Sequence, residues 1–303
     1  MVDPQHLRLP DGRILAFDDV GDPAGVPVVY LHGTPDSRLA RHPDDGLAAR
    51  CGVRLLAVDR PGSGASDAHP DGTLTSLGHD LAALLDDLGL DAVGLLGWST
   101  GGLFALAATT VLGPRVGAVS LVGTVPPVEA YADPSVVAAL SPARRSFVEA
   151  LGELGAAELG RELAPYLIPE PLTPSVALEH VLESAGEAGR ADLAAVPGAV
   201  EQLARALQIA GRGGPEALAH DIARQVEPGL DLSGWRGPVR SLHGTLDPVS
   251  PPAVGEWLAG RVPQVVVEVV PDAGHHLLFP CWEAILTTLA RDVGSRGSGP
   301  IGC

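Results

Sequence analysis

Three side chains able to pass a proton to and from a hydroxyl nucleophile stand far apart in this 303-residue chain. The first is Ser99, at the centre of "GWSTG" (97–101), a G-x-S-x-G segment between apolar runs at 92–97 and 100–112. Read as strand, sharp turn and helix, the segment holds the serine in a strained backbone conformation costing about 1–3 kcal/mol. Gly97 and Gly101 leave the room that such a bend needs. The hydroxyl then stands at a helix N-terminus, whose dipole favours developing negative charge. A serine hydroxyl is a weak nucleophile, so a base must take its proton and a third group must orient that base.

Two later segments supply those groups. "HGTLDPVSP" (243–251) puts Asp247 just beyond one predicted strand, and "PDAGHHLLF" (271–279) puts His275 just beyond the next. Catalytic groups of open α/β sheets gather at this edge, and the order Ser99, Asp247, His275 suits a strand–turn–helix serine nucleophile. His276 is the rival base, but the turn at Gly274 projects His275 while His276 opens the final helix. Asp247 has a second reading as a helix cap ahead of Pro248. Asp272 is the spare carboxylate, expected to shape its turn, and His32 and His243, each before a glycine at a strand end, read as packing or turn residues. Acyl transfer also needs donors for an oxyanion. The backbone N–H of Thr100 is one; Thr34 in "HGTP" (32–35) is the other, since Gly33 permits close approach and Pro35 biases Thr34 towards extended backbone. Each such donor is worth about 2.7–4 kcal/mol.

These residues need a scaffold that brings them to one edge. Apolar runs bounded by Gly, Pro and Asp recur at 26–33, 53–62, 92–97, 116–123, 237–244 and 264–271, each apolar on both faces as buried parallel strands are. Helical patterns lie between them at 37–50, 74–88, 99–112, 252–259 and 276–293. The alternation predicts an α/β fold around a mostly parallel sheet flanked by helices. One crossover, 126–232, holds no convincing strand, only Ala/Leu/Glu-rich helical segments cut by prolines. It far exceeds an ordinary crossover. It reads as a helical cap inserted into a core formed by 1–125 and 233–303.

Composition removes several function classes. The balance of 46% hydrophobic and 19% charged residues is that of a globular protein. A net charge of −17 repels phosphate backbones and anionic bilayers, so neither nucleic acid nor membrane is the expected partner. All 20 basic residues are arginine, which removes Schiff-base, pyridoxal and lysine-containing phosphate-loop chemistry. "DRPGSGASD" (59–67) lacks the spacing of a phosphate loop and reads as a structural turn. Histidines are scattered and cysteines unpaired in spacing, so no metal is expected, and no cofactor. Cys51, Cys281 and Cys303 read as idle thiols in a reducing compartment, and the first residues lack a secretory pattern. The expected location is the cytoplasm. The tail "GSRGSGPIGC" is expected to fray. Ala92–Pro114 is long and apolar, yet its five glycines argue for strand, turn and helix rather than a membrane span.

Taken together, "HGTP", "DRPGSGASD", "GWSTGG", "HGTLDP" and "AGHH" resemble the α/β-hydrolase superfamily, in its cap-bearing serine esterase and peptidase-like group. The resemblance covers roughly residues 10–293. It implies the α/β-hydrolase fold and a Ser99–Asp247–His275 triad. Epoxide hydrolases and haloalkane dehalogenases of this fold carry aspartate at the position of Ser99. Proline iminopeptidases carry "HGGPG" and a tryptophan after the serine, where this chain has "HGTPD" and Trp98 before it. The expected activity is cofactor-independent cleavage of an ester, thioester or lactone of a small to medium, mainly apolar molecule. Acyl transfer, carbon–carbon cleavage or cofactor-free oxidation on the same triad, and simple ligand binding on the same fold, are the alternatives.

Overall fold

The computed structural model describes residues 3–295. Its strands are β1 (Gln5–Arg8), β2 (Ile14–Gly21), β3 (Val26–Leu31), β4 (Val53–Val58), β5 (Val93–Trp98), β6 (Val116–Val122), β7 (Val239–Gly244) and β8 (Val265–Val270). They form one sheet in the order β1-β2-β4-β3-β5-β6-β7-β8. From β4 to β8 every pairing is parallel, while β1 and β2 join antiparallel at one edge. The six parallel strands are those predicted. β1 and β2 are additional, with charged residues interleaved along them instead of continuous apolar runs.

Side-chain alternation builds two cores. Val29 and Leu31 of β3, Leu56 and Val58 of β4, and Val93 and Leu95 of β5 face one side. There they meet α2 (Ser76–Asp87), α3 (Thr100–Leu112) and α11 (Pro252–Ala259). Val28 and Tyr30, Leu55 and Ala57, and Leu96 and Trp98 face the other side, towards α1 (Gly46–Arg50) and α12 (Trp282–Ser295). The period of two is that of a sheet covered on both faces.

Two predicted helices are shorter than expected. Residues 37–45 form loop and turns ahead of α1. Here Arg38 donates to Asp18 at 2.8 Å and to Asp59 at 2.7 Å, and Arg41 donates to Asp18 at 2.8 Å and Asp45 at 2.9 Å. These buried guanidinium forks fix the chain in a path that helical hydrogen bonds would not allow. Residues 276–281 are turns and α12 begins at Trp282, because Pro280 lacks an N–H and disfavours helical backbone before it.

Between β6 and β7 there is no strand among the described residues. Seven helices occupy the segment: α4 (Pro134–Ala139), α5 (Pro142–Leu154), α6 (Ala156–Leu167), α7 (Pro174–Ser184), α8 (Gly186–Ala194), α9 (Ala199–Ala210) and α10 (Gly214–Arg224). α7 and α9 share the core with Tyr30 and Trp98, while α6 and α10 close a small cluster of Ala164, Ala219 and Ile222. No described helix is long and apolar enough to cross a membrane. Cys281 is buried and disulfide-bonded, so among the described residues only Cys51 is a free thiol as expected. Cys303 and the tail beyond residue 295 lie outside the described residues.

Candidate active site

Ser99 sits where β5 turns into α3, with φ 54° and ψ −125°. Asp272 is the other described non-glycine residue at positive φ. The bend survives because its neighbours have no side chains. A Cβ on Gly101 would lie 2.0 Å from the Leu31 carbonyl oxygen, and one on Gly97 would lie 2.5 Å from that of Gly101. The Ser99 N–H donates to the Val122 carbonyl at 2.9 Å, which pins the turn to β6. The residue is 7% exposed, with its hydroxyl at the sheet's C-terminal edge.

The structure brings Ser99, His275 and Asp247 together. The Ser99 Oγ lies 3.0 Å from His275 Nε2, and His275 Nδ1 lies 2.8 Å from Asp247 Oδ2. A carboxylate only accepts, so Nδ1 carries the proton and Nε2 is left to accept from the serine. The other oxygen of Asp247 accepts from Val249 N at 2.8 Å and Ser250 N at 2.9 Å. The helix-cap reading of Asp247 does not hold: α11 starts only at Pro252 with Pro251 at its N-cap, and this oxygen instead closes the loop turn that follows β7. Burial works to raise its pKa, but the charge and hydrogen bond of His275 and the two turn N–H groups outweigh burial and hold the carboxyl below its ordinary value.

Thr34 and Thr100 flank the serine. Neither backbone N–H has a protein partner among the described residues, which leaves both donors available. Their hydroxyls meet at 2.9 Å. Thr34 Oγ1 also donates to Asp221 Oδ2 at 2.5 Å and receives Arg60 Nη2 at 2.8 Å and Gln225 Nε2 at 2.9 Å. Arg60, fully buried, donates to the Gly33 carbonyl at 2.8 Å, pairs with Asp221 and stacks 4.5 Å over Phe104. Asp221 lies on α10 and Gln225 just beyond it, so the segment between β6 and β7 reaches into the loop carrying Thr34. Sequence reading placed Arg60 only in a turn and did not reach Asp221 or Gln225. The turn itself folds around the Asp59 carboxylate, which accepts from Ala65 N at 2.9 Å. Asp221→Ala would strand a buried guanidinium, and is expected to lower stability in denaturant titration by about 3–5 kcal/mol.

His32 and His243 are structural, as expected. His32 Nδ1 donates to the Gly33 carbonyl at 2.7 Å while Nε2 accepts from Arg60 N at 3.1 Å. His243 is held between Ser241 and Ser250. Burial lowers the pKa of each and keeps it neutral. Asp272 is exposed and its N–H donates to Thr245 Oγ1 at 2.8 Å, as a turn residue does. Among the described residues no cluster of His, Cys, Asp and Glu could hold a metal ion.

Asp36, unnoticed in the sequence, is half-buried beside this site. A Cβ on Gly33 would lie 3.1 Å from Ser99 Cβ and 3.5 Å from Asp36 Oδ2, so both groups border the same space. Burial raises its pKa to about 7, against the pull of Arg60 and His275. The folded state therefore holds this proton more tightly than the unfolded chain, and its contribution to stability is lost as pH rises through about 7. Asp36→Asn is expected to raise the melting temperature over wild type more at pH 8.5 than at pH 5, read by thermal melts in matched buffers.

Residues 26–280 match the family described as alpha/beta hydrolase fold. The chain is 30% identical over 229 residues to pimeloyl-[acyl-carrier protein] methyl ester esterase of Aromatoleum aromaticum, covering 74% of this chain and 81% of that protein. It is 28% identical over 286 residues to the dihydrolipoyllysine-residue acetyltransferase component of the acetoin cleaving system of Pseudomonas putida, covering 93% of this chain and 67% of that one. Among solved structures, the esterase RhEst1 from Rhodococcus sp. ECU1013 superposes with a TM-score of 0.69 at 23% identity, over 98% of this chain and 100% of that chain. The last likeness is one of fold. Because the family match runs from β3 to the turn beyond His275 and so takes in Ser99 and Asp247 as well, the chain belongs to the alpha/beta hydrolase family.

Proposed function

We propose that this protein is a serine hydrolase that cleaves an ester, thioester or lactone of a small to medium, mainly apolar molecule through an acyl-enzyme on Ser99. The observation that carries the reading is the unbroken chain of hydrogen bonds from Ser99 through His275 to Asp247. Ser99 Oγ attacks the substrate carbonyl carbon as its proton passes to His275 Nε2. The carbonyl electrons move onto oxygen, which the N–H groups of Thr34 and Thr100 receive. The tetrahedral intermediate collapses and expels the alcohol or thiol, which takes the proton from His275. Water then gives a proton to His275 and attacks the acyl carbon, and the carboxylic acid leaves as Ser99 recovers its proton. Asp247 keeps His275 in the Nδ1–H form throughout.

The apolar substrate follows from the Ala, Leu and Val content of residues 126–232, which we assign as a lid over Ser99. The family and its esterase relatives support hydrolysis in general. A fluorophosphonate probe is expected to label wild type and to spare Ser99→Ala. An unlabelled wild type, or equal labelling of both, would remove Ser99 from the reaction.

A further inference from the structure

A carboxylate from outside the sheet grips the turn that carries His275. Asp192 is 7% exposed and lies on α8, in the segment between β6 and β7. Its Oδ2 accepts from Gly274 N at 3.0 Å and from His276 N at 3.1 Å. These are the N–H groups of the residues immediately before and after His275. The carbonyl of His275 is held separately, by Trp98 Nε1 at 3.0 Å. The main chain of the histidine is thereby fixed on three sides, and two of the three bonds come from one atom of Asp192.

Packing explains why the carboxylate can reach. α8 presents Ala188 and Gly189 to the turn, and backbone meets backbone there. A Cβ on Gly274 would lie 2.6 Å from Gly189 N, and a Cβ on Gly189 would lie 2.6 Å from His276 Nδ1. Larger residues on either side would lift α8 away and break both bonds. Burial raises the Asp192 pKa to about 6, while the two N–H bonds lower it, the nearby Asp247 charge raises it and His275 lowers it. At neutral pH the group therefore stands as an anion beneath the turn.

We propose that Asp192 is a positioning residue: it sets the reach of the His275 ring to Ser99 by holding the N–H groups of the residues on both sides of it, and so makes the helical segment part of the proton relay. The idea rests on the hydrolase reading for its kinetic consequence, not for its structural one. A base displaced by an ångström loses on the order of a hundredfold in rate.

The test compares Asp192→Ala, Asp192→Ser and Asp192→Asn with wild type in two measurements. On p-nitrophenyl butyrate, Asp192→Ala is expected to lose about 100-fold in kcat with KM within about threefold. Asp192→Ser, too short to reach, reads the same should the alanine variant not accumulate. Asp192→Asn, whose amide oxygen accepts the same two bonds, is expected to recover to within about fivefold. In proton NMR, the downfield His275 Nδ1–H signal, assigned by its loss in His275→Gln, is expected in wild type and Asp192→Asn and absent in Asp192→Ala. Wild-type kcat and an intact signal in Asp192→Ala or Asp192→Ser would overturn the proposal, as would a loss carried in KM alone or an asparagine variant as poor as the alanine. Loss of the signal in Asp192→Ala from a wild type inert towards esters would uphold the clamp and sink the hydrolase reading instead.

Discussion

His275→Ala is expected to lose roughly 10⁵- to 10⁶-fold in kcat on a p-nitrophenyl ester, about as much as removing Ser99 itself, because in the proposed reaction serine and base act as one unit. The neighbouring imidazole gives no rescue. His276 is half-buried, its buried Nδ1 has no hydrogen-bond partner, and its ring packs against Trp98 at 5.6 Å between centroids. Burial, aided by the charge of His275, lowers its pKa to about 3. A group that weakly basic is a poor proton acceptor at neutral pH even where geometry allows it. His276→Asn is accordingly expected to stay within about tenfold of wild type. Kinetics on both variants, with circular dichroism to show that each is folded, decides the matter: comparable losses would mean that the two imidazoles share the role, and a nearly unaffected His275→Ala would place the base elsewhere.

The parallel part of the sheet was legible because each of its strands is a short apolar run closed by Gly, Pro or Asp. β1 and β2 were not, since His6, Arg8, Asp18 and Asp19 interrupt them and their pairing is an edge property that no local pattern carries. The loop at 37–45 read as helix because Leu39, Ala40 and Leu47 have helical spacing. What decides its path is the reach of Arg38 and Arg41 to Asp18 and Asp59, residues distant in sequence. The turn carrying Ser99 was legible for a related reason: its requirement for Gly97 and Gly101 is local. The grips of Asp192 and Asp221 on the site join residues more than 80 positions apart. A trace of them existed. Ala217, Asp221 and Arg224 follow i, i+4, i+7 spacing, and Gly189, Asp192 and Val196 follow i, i+3, i+7 spacing, so each carboxylate shares a helical stripe with small or apolar residues. A charged residue on a buried stripe needs a partner, and that requirement, without the partner's name, could have been read from the letters.

Asp247→Asn is expected to cost on the order of 10⁴-fold in kcat with a melting temperature close to wild type, and the reason lies in the turn rather than in the lost charge alone. In the native protein Oδ1 accepts from the N–H groups of Val249 and Ser250, while Oδ2 faces His275. Two N–H donors can be satisfied only by an oxygen, so an asparagine must leave its Oδ1 there and turn its NH₂ towards the imidazole. An NH₂ donates, so His275 Nδ1 must give up its proton and become the acceptor. The ring's proton then resides on Nε2, where it points at Ser99 Oγ and cannot receive the serine's own. Nothing moves, yet the relay runs in the wrong sense. Nitrogen-15 NMR of His275 is expected to show the change of tautomer alongside the kinetic loss, while Asp247→Ala, which also abandons the two turn N–H groups, is expected to melt lower. An Asp247→Asn variant within tenfold of wild type, or one with the imidazole still protonated on Nδ1, would mean that this carboxylate does not orient the base.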